Sequence, residues 1–241
     1  MQRPPRLARR GHGDDAIAAQ VHGLASPLVR GAVFFDVDGT LVPGTSSSEH
    51  VARHLGGLPA AAAAQAAYDE GRIDCARWCE LDARTWAGST PERARAVLEQ
   101  LPLIAGIDEV VAWCREHDLL PTLGTLAWEP VGRHLCERFG FARATGPRLE
   151  EVDGRYTGGV AAHFDEHDKR DSALALAAEL GVAIEDCAAV GDSRSDVPLF
   201  AVVGMPVALN ATPALRALAR ACVDSDDLRD VLPVLDAWLT G

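Results

Sequence analysis

Asp36 and Asp38 stand two residues apart where a short apolar run, Ala32 to Asp36, stops abruptly and Gly39 and Thr40 follow. Two carboxylates this close can share a divalent cation, and one can attack phosphorus while its neighbour handles the leaving-group proton. An isolated Asp-x-Asp is weak evidence for such chemistry, because carboxylates at turns commonly cap helices or bond nearby backbone. A second run, Val190-Gly191-Asp192-Ser193-Arg194-Ser195-Asp196, repeats the pattern of an apolar stretch that ends in glycine and carboxylates. Carboxylates on the ends of neighbouring strands form a magnesium site, since magnesium prefers hard oxygen ligands and keeps waters for an incoming phosphate. Thr125 ends a third apolar run and Lys169 opens a helical one. A hydroxyl and an ammonium are the groups that hold phosphate oxygens as charge moves during phosphoryl transfer.

Such groups must be delivered by strand ends, and the chain is punctuated accordingly. Strands are expected at 32–36, 119–125, 187–190 and 206–209, with helices at 107–117, 129–139, 169–180 and 197–203 between or after them. The alternation predicts a parallel sheet with crossover helices, a doubly wound, Rossmann-like α/β domain that binds ligands where its strands stop. Four helices, at 48–55, 60–70, 74–86 and 91–100, interrupt it directly after the first strand. Val152-Asp153-Gly154 between extended segments at 142–149 and 155–160 predicts a tight hairpin. The expected organisation is an extension over 1–30 with a short helix near 15–24, a core of 31–44 and 102–241, and an all-helical cap over 45–101.

Composition narrows the partners. The 241 residues are 48% hydrophobic and carry a net charge of -12, values of a folded acidic protein with no call for nucleic acid or anionic membranes. No apolar run reaches the roughly 20 residues of a membrane span. Six scattered cysteines without a CxxC pair read as reduced, packed thiols of a cytoplasmic protein.

The order and strand-end placement of these pieces resemble the haloacid dehalogenase superfamily over about residues 31–235. Its first motif is matched by Asp36-Val37-Asp38-Gly39-Thr40, its second by Thr125, its third by Lys169 and its fourth by Asp192 with Asp196. The resemblance implies that Asp36 is the nucleophile and Asp38 the general acid and base. It implies that Thr125, Leu126 and Lys169 bind phosphate, and that Asp36, Asp38 and Asp192 hold Mg2+, with Asp38 contributing its backbone carbonyl. Asp196, Gly191 and Ser195 would support that site. The activity implied is hydrolysis of a small-molecule phosphomonoester through an aspartyl-phosphate, by a monomer or homodimer. Phosphotransfer or mutase chemistry through the same intermediate, and phosphoserine hydrolysis proper, stay open.

Within the superfamily the helical insertion and the Asp153-Gly154-Arg155-Tyr156-Thr157-Gly158 hairpin look like the phosphoserine phosphatase subgroup. The substrate-reading positions differ from that subgroup. Thr45 stands where its cap glutamate is expected, and Glu80 near its cap arginine, with Arg77 and Arg84 close by. Thr125-Leu126-Ala127 replaces Ser-Gly-Gly, Ser195 replaces asparagine, and Trp128, beside the second motif, can stack on a substrate ring, although aromatics at such spacing more often pack in the core. The cap candidates are therefore Thr45, Arg77, Glu80 and Trp128.

Overall fold

The computed structural model describes residues 29–241, so most of the expected N-terminal extension, including its short helix near 15–24, lies outside the described residues. The chain runs through β1 (Gly31–Phe35), four helices α1 (Ser47–Leu55), α2 (Leu58–Asp69), α3 (Cys75–Asp82) and α4 (Pro91–Leu98), then α5 (Ile107–Glu116), β2 (Leu119–Leu123) and α6 (Glu129–Phe139). A hairpin of β3 (Arg148–Val152) and β4 (Arg155–Ala162) follows, then α7 (Glu166–Leu180), β5 (Ala188–Gly191), α8 (Val197–Phe200) and β6 (Met205–Leu209). α9 (Pro213–Arg216), β7 (Ala221–Val223) and α10 (Leu232–Thr240) complete it.

Five strands form a parallel sheet in the order β2-β1-β5-β6-β7. The strands are near-continuously apolar because helices cover both faces. Val33, Phe35, Val190, Val207 and Leu209 point into one core, which continues into the helical block through Tyr68, Trp78 and Trp86. Their alternates Ala32, Phe34, Ala189 and Ala208 point into a second core with Ala173, Leu176 and Leu199. β1 is the hinge of this topology. The chain leaves it for β2 on one side and later returns to β5 on the other, and the crevice where connections diverge lies at the C-terminal end of β1.

The elements follow the expected order, with instructive shifts. The helix expected over 74–86 tightens to a 3-10 turn at Ala83–Trp86, beside Gly158 of β4, where an added Cβ would press on Ala87 and the Arg84 backbone. The segment 142–145 extends along the edge of β2 and does not enter the hairpin: Ala142 N donates to Pro121 O at 2.8 Å and Thr145 N to Leu123 O at 3.0 Å. Pro147 offers no amide to a ladder, and the first hairpin strand starts just past it. All six cysteines are free, and no helix of the described residues is long and apolar enough to cross a membrane.

Candidate active site

Asp36 is the first residue beyond β1, yet its amide still donates to Val190 O of β5 at 2.9 Å, which holds it against that strand. Its carboxylate is buried. Lys169 reaches it from α7, whose start is fixed by a capping box: Asp165 accepts from the amides of His167 and Asp168, and Asp168 accepts from the Asp165 amide. Lys169 thereby falls on the buried face of the first turn, its side chain fully enclosed, with Nζ 3.0 Å from Asp36 and 2.6 Å from Asp196.

The loop after β5 is folded around Asp196. Its carboxylate accepts from the amides of Asp192 (3.1 Å) and Ser193 (3.2 Å), besides Lys169. A side chain at Gly191 would run into that carboxylate, and one at Gly39, whose φ is +85°, into the carboxylate of Asp192. Glycine lets these two strand ends approach one another.

One oxygen each from Asp36, Asp192 and Asp196 lies within 4.8 Å of the others. Burial, with neighbouring carboxylates adding to it, pushes Asp192 up to about 8. Asp36 is pushed up to about 7, again chiefly by burial, although Lys169 pulls it down. Burial disfavours the Lys169 charge, but Asp196 and Asp36 outweigh it and hold the ammonium above its ordinary range. Asp192 Oδ1 is buried with no hydrogen-bond partner among the described residues. Crowded carboxylates with an orphaned oxygen are a donor set that fits a hard divalent cation such as magnesium.

Asp38 is turned differently. Its Oδ1 accepts from the Ser47 amide at 2.6 Å and its Oδ2 from the Ser47 hydroxyl at 3.1 Å. Ser46 caps α1 by accepting from Glu49 N at 3.0 Å, so Ser47 becomes the first helical residue and aims its free amide at the carboxylate. Burial raises the Asp38 pKa against these bonds.

A cavity of about 390 Å³ opens over these groups. Asp36, Asp38, Asp192 and Thr125 line it from the sheet side, with Leu126 and Ser195, while Thr45, Glu49, Tyr68 and Trp78 line it from the helical block. Thr125 is pinned by Thr145, whose hydroxyl accepts its amide at 3.0 Å. Arg77 and Glu80 do not reach the cavity; they pair with each other at 2.6 Å, half-exposed on α3. Trp128 does not reach it either. It is fully buried, donates from Nε1 to Asp82 at 2.6 Å, and stacks on Trp78 with ring centroids 6.5 Å apart.

Asp82 accepts from Ser48 as well, at 3.0 Å, and so joins α1, α3 and the start of α6 at one buried carboxylate. Asp82→Ala would leave the Trp128 and Ser48 donors buried without an acceptor, at a cost of about 1–3 kcal/mol. A lowered melting temperature is the expected result, and an unchanged one would show that this joint carries no stability.

Two cavity residues, Glu49 and Arg194, and Ser47 behind Asp38 had no signal strong enough to single them out. The spacing Ser46-x-x-Glu49 is a capping-box pattern that would have placed Ser47 at the helix start, and Glu49 with it. Arg194 has no signal of its own beyond its place in the run from Val190 to Asp196. In the structure its guanidinium lies 4.1 Å from the Tyr68 ring centroid and donates to Tyr68 O at 3.2 Å, bridging the Asp192 loop to α2.

Residues 33–201 match the family model described as haloacid dehalogenase-like hydrolase. The chain is 31% identical over 235 residues to phosphoserine phosphatase SerB2 of Mycobacterium tuberculosis, covering 95% of this chain and 56% of that protein. It is 31% identical over 246 residues to phosphoserine phosphatase SerB1 of the same organism, covering 90% of this chain and 78% of the relative. Among solved structures, one titled phospho-aspartyl intermediate analogue of phosphoserine phosphatase shares the fold with a TM-score of 0.76 at 23% identity, over 84% of this chain and 97% of that one.

Proposed function

As this chain belongs to the haloacid dehalogenase-like hydrolases and is a phosphoric monoester hydrolase of the phosphoserine-phosphatase-like kind, we propose that it releases phosphate from a small phosphomonoester in two steps at Asp36. In the first, a carboxylate oxygen of Asp36 forms a bond to phosphorus as the bond to the ester oxygen breaks, and Asp38 gives its proton to the departing alcohol. In the second, water attacks the aspartyl-phosphate, Asp38 takes the water's proton, and phosphate leaves with Asp36 restored. The burial that raises the Asp38 pKa supports its carrying a proton at the outset. Asp36, Asp192 and the backbone of Asp38 would hold a magnesium ion, which would offset the negative charge of the phosphate oxygens. Lys169 adds a fixed positive charge beside the attacking carboxylate, and Thr125 and Leu126 line the phosphate end of the cavity.

The observation that carries this reading is Lys169, enclosed between Asp36 and Asp196, with Asp192 beside them where β1 and β5 end. Residues 45–101 then act as a cap over a core of 31–44 and 102–241, excluding water and reading the alcohol. Glu49, bonded to the Thr45 hydroxyl at 3.0 Å, and Arg194, the one basic residue among the described cavity-lining residues, are the charged groups placed to do so. The six unpaired cysteines fit a reducing compartment such as the cytoplasm.

The test is phosphate release, with magnesium, from phosphoserine, sugar phosphates, nucleotides and other phosphorylated metabolites. Release from none of them would overturn the reading, and a phosphorylated acceptor alcohol in place of free phosphate would make the protein a phosphotransferase. Magnesium at a hundred times its dissociation constant is expected to stabilise the fold by about 2.7 kcal/mol. The melting temperature should rise accordingly, and the rise should vanish in Asp192→Asn.

A further inference from the structure

α2 forms one wall of the catalytic cavity, to which it brings Gln65 and Tyr68, and its packing holds it there lightly. Of its described side chains the buried ones are Ala61, Ala64, Ala67 and Tyr68. Hydrophobic attachment scales with the area buried, so the alanines grip weakly and Tyr68 is the one large anchor. The helix also turns in and out on glycine. Gly56 (φ +92°) precedes it and Gly71 (φ +69°) follows it, and nothing stands within 4 Å of where a Cβ would sit at either. Packing does not call for glycine at these positions. The backbone turn does, and small residues at both ends are what a hinged segment uses.

Firm ties between the helical block and the core lie elsewhere. Ser47 bonds Asp38, Trp128 bonds Asp82, and Tyr156 exchanges backbone hydrogen bonds with Gly88 and Ser89. These fix the start of α1, the end of α3 and the approach to α4. On the α2 side the tie is Arg194, whose guanidinium lies 4.1 Å from the Tyr68 ring centroid while its Nη1 donates to Tyr68 O at 3.2 Å. That carbonyl belongs to the last turn of α2, where a cation also meets the negative end of the helix dipole. Nη2 stands 3.9 Å from Glu166 at the start of α7, which holds the guanidinium from the core side. The base of Arg194 is fixed as well, because the Asp196 carboxylate accepts the amides of Asp192 and Ser193 and so shapes the turn that carries it.

We propose that Arg194 is a positioning residue that clasps α2 shut over the catalytic cavity, and that release of Tyr68 lets the helix swing on Gly56 and Gly71. The guanidinium, engaged on Tyr68, acts on the substrate through this wall. Its loop also carries Asp192, so the carboxylate end of the cavity sets where the wall stands. The effect on turnover rests on the phosphatase reading; the clasp itself does not.

The test is alkylation of the full chain with iodoacetamide, read at each cysteine by peptide mass spectrometry. Cys75 is buried on the cavity wall at the start of α3, where its thiol donates to Phe164 O at 3.4 Å, so outward movement of α2 exposes it. Cys222, already exposed, is the control. Arg194→Ala is expected to speed alkylation of Cys75 about tenfold, the worth of one cation–π contact and one hydrogen bond, with Cys222 unchanged. In hydrolysis of p-nitrophenyl phosphate with magnesium the same variant should lose about tenfold in kcat/KM, carried by KM, because substrate binding must then close the helix itself. Tyr68→Leu keeps an apolar anchor and removes the ring face. Its loss and that of Arg194→Ala should combine in the double variant to less than their product. Equal Cys75 alkylation in wild type and Arg194→Ala, a loss carried by kcat, or fully multiplicative losses would each overturn the clasp. Alkylation reads the clasp without turnover, so a failure of the phosphatase reading is told apart from a failure of this one.

Discussion

Asp36→Asn is expected to abolish phosphate release, by on the order of 10⁴-fold or more, while leaving the fold as stable as the wild type or slightly more so. The loss follows from the proposed role, since a carboxamide cannot form the phosphoryl linkage that water later breaks. The stability follows from the site's electrostatics. Burial and the neighbouring Asp196 and Asp38 already raise Asp36 to about 7, and only Lys169 works against them. Asparagine keeps the volume and removes one negative charge from a cluster whose oxygens lie within 4.8 Å of each other. Lys169 keeps its contact of 2.6 Å with Asp196. The paired measurements are steady-state phosphate release and a thermal melt without added metal. Turnover at the wild-type rate would remove Asp36 from the chemistry. A collapse in melting temperature would mean that the carboxylate is structural.

Much of this site was legible because its information is local. Short runs such as Ala32 to Phe35 and Ala188 to Val190 are apolar throughout, which only a strand covered on both faces requires. Each ends in carboxylates and a glycine, and the alternation of strands and helices placed those ends on one edge. What the sequence did not disclose depends on partners distant along the chain. Trp128 sits beside Thr125 in sequence, but the start of α6 turns its indole inward to Asp82, 46 positions away. Arg194 gains its role from the Tyr68 ring, 126 positions away. The start of α7 at Glu166, three residues ahead of the expected one, is set by a capping box that leaves little trace in hydrophobic pattern. β7 escaped notice because Ala221–Val223 is too short to show a period, and only the neighbouring β6 makes it a strand.

Lys169→Met tests the same site from the cationic side, with the opposite outcome for stability. Methionine fills the space with an apolar chain, so Asp36, Asp192 and Asp196 lose the one ammonium enclosed among them. Stranding buried carboxylates by removing their partner costs roughly 3–5 kcal/mol. In a chain of this size that is a fall in melting temperature of roughly 10 °C or more, along with loss of turnover. The pH dependence separates charge from packing. A carboxyl whose folded pKa exceeds its unfolded value contributes stability that is complete below the unfolded pKa and is lost as pH rises through the folded one. For wild-type Asp36 that window runs from 3.8 to about 7. Without Lys169 the upper limit moves higher and the loss deepens, so the deficit of the variant against wild type should shrink in mild acid, where protons take over the work of the ammonium. A deficit that stays constant with pH would mean that Lys169 matters for its packed methylene chain, and that the charge balance assigned to this crevice is wrong.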